Sequence, residues 1–272
     1  MMRSLWSAAS GMKGQQTAVD TIANNLANVN TLAYKSQSTQ FKTLLYQTME
    51  ATSTNAEGEA KPTSAQVGLG TRVGSLNTSF AQGAAQAVDS LTSLYIDGEG
   101  FFAVADGDEI FYTRAGNFTW AIDDNGARVL STNEGYKVLG RNGEPIVLPE
   151  AAGSEGFAVN EDNGMVSYRN ADGTYTETGQ YIALYQFTNR VGLAKEGENL
   201  YQATLASGDP ISEWNTAGVS TSSLKQGYIE ASNVNVADEM VNLIIAQRAY
   251  EMNSKAITTT DTMLEQANNL KR

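Results

Sequence analysis

The chain has 272 residues, no histidine, no cysteine and a formal charge of -12. Those absences exclude imidazole-based nucleophilic triads, imidazole or thiolate metal sites and disulfides. The negative field argues against nucleic acid as a partner, and no run of 18 apolar residues provides for membrane insertion.

The charge is unevenly placed: residues 1–45 carry a net +3, residues 46–228 a net -13 and residues 229–272 a net -2. Acidity belongs to the middle, and the two ends are nearly neutral and rich in Asn, Thr, Gln and Ala. The first residues hold no continuous apolar run before Lys13, so a Sec signal peptide is not expected.

At a seven-residue stride the N-terminal segment gives Leu5, Met12, Val19 and Leu26, with Ala8, Ala9, Ile22 and Ala23 at neighbouring positions. This spacing predicts a helix over about residues 4–28, roughly 35 Å long. From Gln47 to Gln66 the composition turns polar, with Lys61-Pro62 and only Met49 as a large apolar residue. Such a stretch cannot bury enough surface to fold alone. It reads either as a disordered linker or as an extended arm that orders against neighbouring subunits.

The middle is punctuated by Asp97-Gly98, Asp106-Gly107, Asn125-Gly126, Asn142-Gly143, Asn163-Gly164 and Asp172-Gly173, all tight-turn dipeptides. They bracket strands expected at 93–96, 100–105, 109–113, 117–121, 136–139, 145–148, 156–159, 165–168 and 180–187, and antiparallel pairing is the economical arrangement. Asp106-Gly107-Asp108-Glu109 and Asp123-Asp124-Asn125-Gly126 lack calcium-loop spacing, and Gly68-Leu69-Gly70 is not followed as a phosphate loop requires. A glycosidase needing only two carboxylates is the remaining catalytic alternative, but no acidic pair is singled out. No catalytic, metal or cofactor-binding residue is assigned, and neither an enzyme nor a cofactor is expected.

The C-terminal segment repeats the heptad pattern with Val236, Leu243, Tyr250, Ile257 and Leu264, flanked by Met240, Ile244, Gln247 and Ala267. A helix over about 236–270 is predicted, with Asn235 as N-cap, Asp238 and Glu239 in its first turn and Glu251 spaced to pair with Lys255. Both helices contain weak formers, among them Thr17, Thr21, Asn24, Asn25 and Asn28 in the first and Thr258 to Thr260 in the second, and need packing to persist. On pattern alone they are either one intramolecular pair or elements that also assemble with other copies. The fold class is mixed α+β: long N- and C-terminal helices pairing as a coiled coil, with an antiparallel β-rich middle. The expected divisions are 1–45, 46–67, 68–228 and 229–272.

Two long motifs sit on these helical ends. Ile22-Ala23-Asn24-Asn25-Leu26-Ala27-Asn28-Val29-Asn30-Thr31 with Tyr34-Lys35 resembles the N-terminal signature of the bacterial flagellar rod and hook protein family. Gly227-Tyr228-Ile229-Glu230-Ala231-Ser232-Asn233-Val234-Asn235-Val236, continuing to Gln247-Arg248-Ala249-Tyr250-Glu251, is similar to its C-terminal partner. Gly98-Glu99-Gly100-Phe101-Phe102 and Tyr112-Thr113-Arg114-Ala115-Gly116-Asn117-Phe118 resemble the family's β-region motifs. The length fits a rod rather than a longer hook subunit, and the polar stretch from about Tyr46 to Val67 resembles the insertion that separates distal from proximal rod members.

The resemblance implies a homo-oligomer, a helical polymer whose terminal helices form an inner tube around an export channel. The assembly residues would be Leu5, Met12, Val19, Ile22, Asn24, Asn25, Leu26 and Asn28 with Asn235, Val236, Met240, Leu243, Gln247, Tyr250, Ile257 and Leu264. Gln47, Pro62 and Gln66 would mark a stiffening insertion. Implied partners are other rod proteins, the hook protein, surrounding ring or bushing proteins and the flagellar type III export apparatus. The implied location is the flagellar basal body, beyond the inner membrane and periplasmic where an outer membrane exists.

Overall fold

The computed structural model describes residues 2–50, 65–107, 109–123, 126–149, 156–161, 163–170, 174–216, 218 and 220–270. Lys61, Pro62, Asp108, Asp124, Asn125, Asp172 and Gly173, named above, lie outside them. The chain divides into two compact units, one of residues 1–27, 36–79 and 234–272, the other of residues 28–35 and 80–233.

The first unit holds two helices, α1 (Met2–Ala27) and α2 (Val236–Asn269). At 1.5 Å per residue they run about 39 and 51 Å. Their many hydroxyl residues bond back to the preceding turn, as Thr21 Oγ1 does to the Thr17 carbonyl at 2.8 Å and Thr260 Oγ1 to that of Ala256 at 2.7 Å, which satisfies the side chain without breaking the helix. Asn235 caps α2, its side chain accepting from the Ala237 amide at 3.1 Å, and Asp238 and Glu239 occupy the first turn. Glu251 pairs with Arg248 at 3.1 Å, three residues before it, where the spacing had pointed to Lys255.

Against α1 lies a two-stranded ribbon. Gln37–Thr43 pairs with Thr71–Thr78, and Tyr46–Glu50 with Ala65–Gly68, both antiparallel. The Leu44 amide to the Gly70 carbonyl, 2.9 Å, and the Leu69 amide to the Leu45 carbonyl, 3.3 Å, join the two ladders. The ends of the polar stretch are therefore β-structure, with Thr48 facing Gln66 in register, and residues 68–79 belong with the helices. Alternation gave no warning, because most of the ribbon is exposed on both faces.

The second unit is antiparallel β throughout its named strands. Its main sheet is centred on Phe101–Asp106, which pairs with Glu109–Thr113, Lys137–Val138 and Leu184–Gln186. That strand is buried on both sides: Phe102 and Val104 join a core with Leu94, Phe118 and Leu130, while Phe101 and Ala103 join another with Tyr112, Phe187 and Tyr201. Both faces being apolar explains why Phe101-Phe102-Ala103-Val104-Ala105 reads as a continuous run. A three-stranded sheet of Phe157–Val159, Met165–Arg169 and Tyr175–Tyr181 adds to the first core.

Glu109–Thr113 stands where expected. The single strand expected at 180–187 is instead two, because the buried Ile182 and Ala183 carry the chain from the three-stranded sheet to the main one. Gly143 takes a φ of 77° in the Asn142-Gly143 turn. Gly116 is required by closeness rather than φ, since a Cβ there would lie 1.7 Å from the Leu94 carbonyl oxygen.

Candidate assembly surface

The stripe read from the sequence is offset from the seam that closes inside the subunit. On α1 the buried positions with side chains are Ala8, Ala18, Thr21 and Asn25, whereas Leu5, Met12, Val19, Ile22 and Leu26 are only half-buried. The offset has a steric cause. Helix α2 approaches so closely at Gly11 that a Cβ there would sit 2.9 Å from Asn253 Nδ2, and Phe41 of the ribbon covers Gly14. Small residues permit that approach, and the bulkier stripe is displaced to its margins.

Helix α2 is more open. Of its 34 residues only Ala246 and Thr260 are buried. Leu243, Ile257 and Leu264 are half-buried, and Val236, Met240, Gln247 and Tyr250 are exposed. Val19 and Tyr250, with Gln16, Gln247 and Glu251, line an open groove of about 590 Å³ along the helices. Ile244, named beside the stripe, is exposed as well, and so are the apolar Val241, Ile245, Met252 and Met263, which lie outside it. Apolar residues on nearly all sides of a helix are the signal that a single-stripe reading misses.

The asparagines divide. Asn24 is exposed and Asn28 half-buried, but Asn25 is fully buried within the first unit. Its amide donates to the Gln37 carbonyl at 2.8 Å and to Glu239 Oε1 at 2.9 Å, and its oxygen accepts from the Gln37 amide at 2.9 Å. Asn25 is thus committed inside the subunit, tying α1 to the ribbon and to the first turn of α2. Gln47 and Gln66 are exposed on the ribbon.

Within the second unit the four sequence motifs converge on one buried cluster. Glu230, from the C-terminal motif, accepts from Lys35 Nζ at 2.7 Å and from Arg114 Nε at 3.1 Å. The Gly83 amide adds a third bond at 2.8 Å, and Arg114 Nη1 donates to the carbonyls of Gly98 and Gly100. Lys35 and Glu230 are each 1% exposed. Burial pushes the Lys35 ammonium below the usual lysine range, opposed by the adjacent Glu230. No local signal marks this cluster beyond a charge standing next to apolar residues in Tyr34-Lys35 and Ile229-Glu230.

Comparisons with known proteins agree with this layout. A flagella basal body rod protein family model matches residues 5–35, a flagellar hook protein D1 domain model residues 95–168, and a flagellar basal body rod protein C-terminal model residues 225–270. The chain is 44% identical to the flagellar basal-body rod protein FlgG of Borreliella burgdorferi and 41% identical to that of Bacillus subtilis, over 100% of each chain in both cases. It is 38% identical to the Caulobacter vibrioides protein of the same name, over 99% of this chain and 100% of that one. These relatives are structural proteins rather than enzymes, which removes the glycosidase alternative. Matched end to end at such identities, and by family models on both helical ends, the chain belongs to the flagellar basal-body rod protein family as a structural component of the flagellar basal body.

Proposed function

We propose that the chain is the subunit of the flagellar distal rod, polymerising with copies of itself into a stiff hollow helical shaft that carries motor torque to the hook and encloses the export channel. The observation behind this reading is the unspent apolar surface of α2. A 34-residue helix with two buried residues and exposed Val236, Met240, Val241, Ile244, Ile245 and Tyr250 carries far more apolar surface than its own subunit covers. In a polymer, α1 and α2 pair as a coiled coil and neighbouring copies cover these residues.

The ribbon with its insertion is read as a stiffener wedged between subunits, since an uncovered two-stranded ribbon is marginal in water. The acidic β-rich unit is read as the outer layer, its like-signed surface turning freely within surrounding ring proteins. Export through the flagellar type III apparatus, a position beyond the inner membrane, and joints with other rod proteins and the hook complete the reading.

Electron microscopy of the purified full-length chain tests it. Straight hollow filaments are expected from the wild type, and none from Ile244→Glu, whose monomer should keep its β-unit melting. Filaments from that variant, or loss of the β-unit transition in it, would refute the assignment of α2 as the assembly face.

A further inference from the structure

Four chain crossings join the two units, at 27/28, 35/36, 79/80 and 233/234. Three of them lie within a few residues of one hydrogen-bonded cluster, two bonded directly to the Glu230 carboxylate and the third to the backbone beside it. Lys35, the last residue before a crossing, bonds Glu230 Oε1 at 2.7 Å and the Ala81 carbonyl at 2.8 Å. Ala81 and Gly83 follow the next crossing closely, and the Gly83 amide donates to the same Glu230 oxygen. Asn233, the last residue before α2's segment, donates from its side chain to the Ala81 carbonyl at 3.0 Å and from its amide to the Tyr34 carbonyl at 3.3 Å. The Glu230 carbonyl accepts from the Ala33 amide at 2.8 Å. Ala33 is fully buried with a φ of 55°, an αL conformation that an alanine holds only where its surroundings enforce it.

We propose that Glu230 is a clasp: a positioning residue that closes three exits of the β-rich unit and so fixes where the segments leading to both terminal helices leave it. Charge makes the clasp conditional on this one residue. Lys35 and Arg114 are both buried and both bond Glu230, so without its carboxylate two cations would face each other away from water. Glu230 lies 195 residues from Lys35 and 116 from Arg114 along the chain, so the clasp closes only when the C-terminal part of the β unit is in place. The rest of the unit does not depend on it in the same way, because the core around Phe102, Val104 and Leu130 is apolar and sealed by other strands. This inference concerns the subunit itself and stands or falls independently of the rod assignment.

Amide hydrogen exchange on the purified full-length protein is the test. In Glu230→Gln the amides of Ala33, Gly83 and Asn233 should exchange at least tenfold faster, with those of Val104 and Leu130 unchanged. Glu213→Gln is the control: this buried carboxylate of the same unit bonds Gln186 and Ser222 instead, and its loss should leave the three exit amides protected. Should Glu230→Gln fail to fold, Lys35→Met carries the test. It leaves Arg114 to neutralise Glu230, so Ala33 should exchange faster while Gly83 stays protected. Uniform acceleration across the unit in Glu230→Gln, equal acceleration of Ala33 and Gly83 in Lys35→Met, or exit amides indifferent to either change would overturn the clasp.

Discussion

Replacing Ile244 and Ile245 together by alanine isolates the part of α2 that the subunit does not use. The two side chains remain 55% and 60% exposed. Full burial of an isoleucine contributes about 1.5–3 kcal/mol, so roughly half of that, about 1–1.5 kcal/mol for each, is available only to another molecule. Losing both should weaken an intersubunit contact by about 2–3 kcal/mol, which is roughly 30- to 150-fold in its equilibrium constant. Inside the monomer the sign is opposite, because alanine is the better helix former by a few tenths of a kcal/mol at each position. The expected signature is a critical concentration for polymerisation raised well over tenfold in sedimentation, with monomer helicity by circular dichroism unchanged or slightly increased. A critical concentration within twofold of wild type would refute the proposed use of this face. So would a matching loss of monomer stability, which would place these residues in an internal contact.

Three further outcomes follow from other parts of the molecule. Asn25→Ala strands both polar groups of Gln37 and leaves Glu239 without that donor, and should destabilise the helical unit by about 2–4 kcal/mol, seen as a lower midpoint for loss of helical ellipticity. In the β unit, burial pushes the Tyr112 hydroxyl up to about 12 and also raises those of Tyr95 and Tyr201. Because these folded values exceed the unfolded value near 10, their contribution is complete below pH 10 and is lost as pH climbs through 12; denaturant midpoints should fall over that window, and a flat profile would contradict it. Removing residues 51–64 and closing the ribbon with an Asn-Gly turn should leave the paired segments Tyr46–Glu50 and Ala65–Gly68 able to form, yet give a curved or more flexible polymer; straight filaments of unchanged stiffness would count against a stiffening role.

What the sequence disclosed tracks how local each cause is. The N-cap at Asn235 and the turn at Asn142-Gly143 are set by neighbouring residues and stand as expected. The helices themselves follow from periodicity, but the face that closes inside the subunit does not. It is chosen by where the Asn253 and Phe41 side chains fit against Gly11 and Gly14, and a hydrophobic stripe is a poor guide when the tightest contacts are made at the smallest residues. The ribbon from Gln37 to Thr78 was invisible for a related reason, since strands exposed on both sides show neither alternation nor an apolar run. The Lys35–Glu230–Arg114 cluster depends on partners more than a hundred residues apart, which no spacing rule reaches.

These differences share a direction. In each unit buried polar groups fix internal geometry; the β unit adds two apolar cores, whereas α2 leaves many of its large apolar side chains outside. Asn25 with Glu239 ties the helices to the ribbon, and Glu230 with its two cations holds the exits of the β unit. Such groups have one acceptable set of partners, so they specify a single arrangement even where they add little net stability. Apolar contacts tolerate more than one geometry, and here Ile244, Ile245, Met240 and Tyr250 remain on the surface. A subunit whose fold depended on those residues would have to surrender internal contacts on joining a polymer. With specification assigned to polar clusters, the same helices can be defined within the subunit and still bring most of their apolar area to an assembly.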